Sequence, residues 1–292
     1  MADGSYLAID WGTTNRRIYL MDRAGTALEA ERDDRGVLML SVDDYPTEID
    51  RLRARFGAIP IIAAGMVGST RGWRDIPYVE APAGIETLAR AVICMPAADV
   101  WIVPGVSIVA PGRADVMRGE EVQVLGAARA GLAPADARFC QPGTHNKWIR
   151  VAGARIVDFS TAMTGELFAL LRDHSVLAEM MRGPVTDGPA FRDGVEAGRG
   201  GGLLTALFGV RAGVLLGRLD RADAAAFASG LLIGADVAAQ LAPGDVIHVL
   251  SGGTLGTLYT SAIELLGGVA VPVDAEAAFL AGIHLVKEML DA

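Results

Sequence analysis

One short pattern occurs twice in this chain, and it limits what the chain can become. Tyr6-Leu7-Ala8-Ile9-Asp10 is an apolar run ending in a carboxylate, broken by Trp11-Gly12-Thr13-Thr14-Asn15. Arg17 to Met21 then reads as a second strand, Asp22 to Gly25 as a turn and Thr26 to Glu31 as a third strand. The frame returns as Arg138 to Gln141, the turn Pro142-Gly143-Thr144-His145-Asn146, Lys147 to Val151, a turn at Ala152-Gly153, and Ala154 to Phe159. Both first turns spell Gly-Thr-x-Asn. Four matching residues are a weak signal alone, but inside the same strand–turn–strand–turn–strand frame they point to two similar halves.

The rest of the chain alternates strands with helices. Pro60 to Met66 and Trp101 to Val103 read as buried strands, and Glu120 to Arg129 as a helix between Gly119 and Gly131. Gly165 to Asp173 looks helical, and Gly198 to Gly202 reads as a flexible loop. Arg221 to Leu241 is apolar nearly all round and is expected as a buried helix, with Gly230, Gly234 and Ala238 forming a smooth stripe. Val246 to Leu250 is a strand ending in Ser251-Gly252-Gly253-Thr254, and Ala275 to Leu290 is a last helix with Asp274 as its expected N-cap. At 292 residues this predicts an α/β protein of two domains, residues 1–135 and 136–292, with the last helix packing at their junction.

Charge and cysteine content exclude several function classes. A net charge of −9 argues against a nucleic-acid partner and against a basic membrane-surface protein. The uncharged run between Asp223 and Asp236 is shorter than the ~20 residues a bilayer requires, and the run from Val246 to Ile263 is broken by His248, Ser251, Gly252, Gly253 and Thr254. The N-terminus carries Asp3 and no basic, apolar leader, so a cytoplasmic location with no membrane partner is expected. Cys94 and Cys140 are too few for a disulfide framework, and His174, His248 and His284 lack metal-ligand spacing. Monomer and homodimer both stay open.

The turns carry the chemistry. No G-x-x-x-x-G-K-[ST] occurs, and no G-x-G-x-x-G follows a strand. Small, donor-rich turns such as Gly12-Thr13-Thr14-Asn15, Gly143-Thr144-His145-Asn146 and Gly252-Gly253-Thr254 can instead converge backbone N–H groups and hydroxyls on phosphate oxygens. Asp10 can hold Mg²⁺ through water. Lys147 and Lys287 are the two lysines in a chain that otherwise uses arginine, which hints that a compact ammonium is wanted beside the second turn.

These three loops resemble the two phosphate motifs and the adenosine motif of the actin-like ATPase superfamily. More closely, the chain resembles the 2-dehydro-3-deoxygalactonokinase family through Ala63-Ala64-Gly65-Met66-Val67-Gly68-Ser69, Gly72-Trp73, Val116-Met117-Arg118-Gly119-Glu120-Glu121, Pro142 to Trp148, Met163-Thr164-Gly165-Glu166-Leu167 and Ser229 to Ala235. The resemblance implies two ribonuclease-H-like domains with a nucleotide and sugar cleft between them. It implies ATP- and Mg²⁺-dependent phosphorylation of a 2-keto-3-deoxy sugar acid at its terminal hydroxyl. On that analogy Glu120 is the first candidate for the base, with Glu121 second and Asp10 organising Mg²⁺. Gly12, Thr13, Thr14, Asn15, Gly143, Thr144, Asn146, Lys147, Gly252, Gly253 and Thr254 would hold ATP. Arg118 would read the substrate carboxylate bidentately, in competition with Arg71 and Arg74, while Glu166, His145, Gly65 and Ser69 would complete the sugar site. Kinases of the same fold for another keto-deoxy acid or a ketose, and a non-catalytic ATP-binding module, are the alternatives.

Overall fold

Leu7, Ala8 and Ile9 are fully buried, and so are Ile61, Ile62, Ala63 and Ala64. Runs that are apolar on both faces suit central strands of a covered parallel sheet, and that is where they lie. The computed structural model describes residues 4–95 and 98–292, so Asp3 falls outside the described residues. In chain order the first elements are β1 (Tyr6–Trp11), β2 (Arg16–Met21), β3 (Ala27–Asp33), α1 (Tyr45–Phe56), β4 (Ile61–Gly65) and β5 (Val79–Glu80). Then come α2 (Ile85–Arg90), β6 (Ile93–Met95), β7 (Val100–Ile102), β8 (Val106–Ala110), β9 (Arg113–Met117) and α3 (Glu120–Arg129). The chain continues through β10 (Ala137–Gln141), β11 (Asn146–Ala152), β12 (Arg155–Ala162), α4 (Thr164–His174), α5 (Pro189–Arg199) and α6 (Leu203–Leu215). It ends with α7 (Ala224–Gln240), β13 (Val246–Leu250), α8 (Gly253–Leu265), β14 (Val269–Val273) and α9 (Ala275–Asp291).

The internal likeness read from the two hairpins reaches the sheets. One sheet has the order β3-β2-β1-β4-β7-β6 and another β12-β11-β10-β13-β14, so each sets three consecutive strands beside a later one. β1 runs parallel to β4 and β4 to β7; β10 runs parallel to β13 and β13 to β14. A third, small sheet joins β5, β8 and β9.

Packing divides the chain into two compact units. One comprises Met1–Asp136, Arg150–Phe159 and Ala275–Ala292, the other Ala137–Ile149 and Ser160–Asp274. This differs from a single break between 135 and 136, because α9 packs on α3, β1 and β4 of the first unit. Two glycines permit that approach: a Cβ on Gly126 would lie 2.0 Å from the Ala278 carbonyl, and one on Gly282 the same distance from that of Val122. Pressed between neighbours, α3 is buried from Glu121 to Ala128.

In the second unit, α7 has the buried character expected of it, and its stripe has a partner. Gly230 lies against Phe191 and Gly194, and Gly234 against Val195, all on α5. Gly198 belongs to the same contact, its position only 2.3 Å from the Leu231 carbonyl once a Cβ is added. Gly198 and Arg199 are therefore helical rather than part of the loop expected at 198–202, which shrinks to the turn between α5 and α6. Tertiary contact outweighs the low helix propensity of glycine here.

Candidate active site

Asp10 is the penultimate residue of β1, paired with Ala64 of β4 on one side and Arg17 of β2 on the other. The turn that follows is closed by the Gly12 N–H donating to the Asn15 carbonyl at 3.0 Å. A second strand of backbone braces it: Val37 and Leu38 donate to the Gly12 and Thr13 carbonyls, both at 3.1 Å. Gly36 is needed at that crossing, since a Cβ there would sit 2.4 Å from the Thr13 oxygen. Thr13, Thr14 and Asn15 are left exposed.

Together with Asp10, Gly12, Arg17 and Arg32 these residues line a polar pocket of about 230 Å³. Arg17 Nη1 lies 3.6 Å from Asp10 Oδ2. Burial pushes the Asp10 carboxyl up from its ordinary value; Arg17 opposes the shift and Glu120 adds to it. Arg17 and Arg32 escaped the sequence reasoning. The signal was available, because a tight hairpin around Gly12–Asn15 sets Asp10 and Arg17 directly opposite, and β2 pairs Arg17 with Arg32 in turn. Behind the loop, the fully buried Arg16 bonds Asp33 and Glu48 and covers the Trp11 ring, while Tyr45 stacks parallel on Trp73.

The N-terminus of α3 meets the same strand ends. Gly119 has φ +106°, a conformation that favours glycine, and its Cα side faces Gly65 at the end of β4. The two carboxylates that follow diverge. Glu120 is half-buried, and its Oε2 accepts the Arg118 backbone N–H at 2.9 Å. Glu121 is sealed at 0% exposure, with both oxygens accepting from the Gly119 N–H at 2.7 and 2.9 Å. Burial, reinforced by the Glu120 charge, pushes the Glu121 carboxyl up to about 8. The Arg118 guanidinium is buried too: Nη2 donates to the Ile76 carbonyl at 2.6 Å and Cζ lies 4.2 Å over the Tyr78 ring. Its Nε and Nη1 have no hydrogen-bond partner. Gly65 and Ser69 are buried, the Ser69 hydroxyl donating to the Met66 carbonyl, whereas Arg71 and Arg74 are exposed.

The second unit gathers the other candidates. α4 begins against the second hairpin: the Glu166 N–H donates to the Thr144 carbonyl, and a Cβ on Gly165 would be 2.5 Å from the Gly143 oxygen. This brings Glu166 Oε2 to 2.5 Å from His145 Nε2. Lys147 is buried with its ammonium 3.4 Å from the His145 carbonyl. Asn146 is fully buried and turned inward, donating to Asp236 at 2.8 Å. Gly252 caps α8, and Gly253 and Thr254 stand exposed in its first turn.

Asp236 of α7 was not among the expected site residues, yet it ties this unit's loops together. Its carboxylate accepts from Asn146, from the indole of Trp148 (2.9 Å), from the Thr164 hydroxyl (2.8 Å) and from the Tyr259 hydroxyl (2.7 Å). A lone acid inside a helix read as buried was the signal, since a buried charge must find donors. Above this hub lies a cavity of about 220 Å³ walled almost wholly by apolar atoms of Gly143, Phe168, Leu232, Ile233, Leu255 and Leu258.

In the first unit, then, Asp10, Gly12–Asn15, Gly65, Glu120 and the buried Arg118 and Glu121 belong to one neighbourhood. In the second, Gly143 and Thr254 line the cavity, and Glu166 is held to the hairpin by its N–H on the Thr144 carbonyl. Among the described residues no group of three or more His, Cys, Asp or Glu is placed to hold a metal ion, and no helix is long and apolar enough to cross a membrane.

Known proteins resemble this chain in sequence and in fold. The chain is 38% identical to a probable 2-dehydro-3-deoxygalactonokinase of Rhizobium meliloti, over 96% of this chain and 95% of the relative. It is 36% identical to the 2-dehydro-3-deoxygalactonokinase of Escherichia coli, over 96% and 97% of the two chains. A crystal structure from Sinorhizobium meliloti, assigned as a 2-dehydro-3-deoxygalactonokinase, superposes with a TM-score of 0.87 at 35% identity over 97% of this chain and 98% of that one. The activator of 2-hydroxyisocaproyl-CoA dehydratase from Clostridium difficile, solved with ADPNP, reaches a TM-score of 0.50 at 9% identity over 98% and 96%, a likeness of fold alone. A family model described as 2-keto-3-deoxy-galactonokinase matches residues 10–286, and the chain belongs to that family of sugar-acid kinases.

Proposed function

We propose that this chain transfers the γ-phosphoryl group of ATP to the C6 hydroxyl of 2-dehydro-3-deoxy-D-galactonate, giving the 6-phosphate in galactonate breakdown. One observation carries the reading: of the two carboxylates opening α3, Glu120 is the accessible one and acts electrostatically on Asp10. Phosphoryl transfer needs little covalent help from a protein beyond positioning, charge stabilisation and a group to accept the hydroxyl proton.

Glu120 takes that proton as the O6–phosphorus bond forms and the bond to the β-phosphate oxygen breaks, releasing ADP. The Arg118 N–H fixes the Glu120 carboxylate in orientation. Asp10, with the hydroxyls of Thr13 and Thr14, faces the polar pocket suited to phosphate oxygens, and Arg17 and Arg32 add positive charge there. A single carboxylate beside phosphate positions fits Mg²⁺, which keeps several waters and uses few protein ligands. When bound, Mg²⁺ neutralises charge on the β- and γ-phosphate oxygens. Gly143, Thr144, Lys147 and the Gly252–Thr254 turn serve the nucleotide from the second unit, with Asn146 holding its hairpin in place through Asp236. Glu166, oriented by His145, bonds sugar hydroxyls, and Arg118 offers its unpartnered Nε and Nη1 to the substrate carboxylate. The reading sets the enzyme in the cytoplasm, where ATP is regenerated.

Steady-state ADP release with 2-dehydro-3-deoxygalactonate and with 2-dehydro-3-deoxygluconate tests the proposal, and phosphorus NMR of the product locates the new ester. Turnover favouring the galacto acid with phosphate on C6 is expected. Basal ATP hydrolysis that neither acid stimulates would overturn it.

A further inference from the structure

Helix α6 is apolar on two faces and covered on one. Leu207 and Val210 are buried in the cluster that α6 shares with α7, while Leu204 is 86% exposed and Phe208 and Leu215 are 63% exposed. A helix apolar all round belongs inside a core or an interface. At about 100° per residue the three exposed side chains fall within about 40° of one another, so they form one stripe. Arg211 lies in the same stripe, its guanidinium held by Nη1 donating to the Val176 carbonyl at 3.0 Å. Val176 and Leu216, the residue after the helix, are exposed as well and widen the face. Contiguous apolar surface of this kind marks a docking site.

The stripe is its own complement. Leu204 and Leu215 are centred on the same point as Phe208 and Arg211, between Gly209 and Val210. An antiparallel copy therefore sets Leu204 opposite Leu215 and Phe208 opposite Arg211, each twice, as a two-fold axis requires. An aromatic ring opposite a guanidinium is a favourable pair. Charge agrees with a second copy as the occupant. Residues 175–223, which hold α5 and α6, carry six arginines against six carboxylates, so the net charge of −9 lies wholly elsewhere. Two anionic copies repel least where each is neutral, and this segment has no cation excess to draw it to an anionic lipid surface. Specific dimers bury roughly 800 Å² per partner, more than one helix face supplies, so the surface around Val176 and Leu216 joins the contact.

We propose that two copies of this chain form a homodimer through α6, paired antiparallel about a two-fold axis. Sedimentation velocity of the full chain at micromolar concentration should give twice the chain mass. Leu204→Arg sets a charge against Leu215 at both ends of the seam and should raise the dimer dissociation constant by about a hundredfold or more, with the far-ultraviolet circular dichroism spectrum unchanged. Adding Leu215→Glu to Leu204→Arg places opposite charges across the seam twice and should restore the dimer. Should Leu204→Arg fail to fold, Phe208→Ala weakens the same seam without adding a charge. A monomeric wild type, or a dimer that neither Leu204→Arg nor Phe208→Ala weakens, overturns the proposal. Failure of the paired charges to restore the dimer overturns the antiparallel register. A monomer that co-sediments with phosphatidylcholine–phosphatidylserine vesicles would assign the face to lipid and overturn it too.

Discussion

Glu120 and Glu121 are joined by one peptide bond, yet the first carboxylate accepts the Arg118 N–H at a half-buried position and the second lies sealed against the Gly119 N–H. Successive helical residues point about 100° apart, so only one of them can face a given hydroxyl. Glu120→Gln is expected to lower kcat by about 10²–10⁴-fold, the usual contribution of a positioned base. Glu121→Gln should change kcat less than about tenfold, because an amide oxygen can still accept the Gly119 N–H. The reverse ranking in steady-state assays would move the base to Glu121.

The burial of Glu121 also has a thermodynamic signature. Its carboxyl is raised from the ordinary 4.5 to about 8, so between those values the folded protein binds more protons than the unfolded chain. The stability it contributes is complete below pH 4.5 and is lost as the pH rises through 8. Denaturant midpoints at pH 5 and pH 9 should therefore show wild type losing ground to Glu121→Gln as the pH rises. Equal gaps at both pH values would show that Glu121 is not held in its neutral form.

Much of this was visible in the sequence, for reasons that differ from element to element. The β1–β2 hairpin and α3 were legible because Asp10, the Gly-Thr turn and the glycines flanking 120–129 are local signals. α5 was not, since Gly194 and Gly198 look like breakers until α7 is packed within van der Waals range. Asn146 reads as a turn residue, but its inward amide depends on Asp236, ninety residues away. The rank of Glu120 above Glu121 came from a resemblance, whereas their unequal burial depends on the packing of α3 and has no local signal.

Asp10 is expected to organise the phosphates from the end of β1. Asp10→Asn removes the charge while keeping the shape, and the loop it supports is closed by backbone bonds that the change leaves alone. kcat should fall by about two orders of magnitude or more, at least roughly 2.7 kcal/mol of barrier stabilisation. The same variant should show an unchanged far-ultraviolet circular dichroism spectrum. Near-wild-type turnover in the folded variant would remove Asp10 from the site.

Asp236 should matter to nucleotide binding and hardly at all to the sugar acid. Asp236→Ala strips the acceptor from four donors, and each buried donor left unsatisfied costs about 1–3 kcal/mol. A fall in stability of roughly 3 kcal/mol or more is expected, read as a lower denaturation midpoint. Tyr259→Phe removes a single donor and should fold. In it, KM for ATP should rise by several-fold with KM for the acid unchanged, and equal effects on both would make the hub purely structural.

Arg118 has a claim on the substrate carboxylate that its surroundings sharpen. The protein carries a net charge of −9, so an anionic sugar gains nothing from the overall field and must be held by short-range contacts. Charge-assisted hydrogen bonds of that kind contribute about 1.5–3 kcal/mol each. The Arg118 guanidinium is pinned by the Ile76 carbonyl and the Tyr78 ring, with two nitrogens left unpartnered, and Arg71 and Arg74 are both exposed. Arg118→Lys keeps the charge and loses the fork, so KM for the acid should rise about tenfold or more. A neutral analogue lacking the carboxylate should be a poor substrate of the wild type and respond little to the change. If acid and analogue lose the same factor, Arg118 clamps the 76–78 loop instead of reading substrate, and Arg71→Ala becomes the variant that must raise KM for the acid alone.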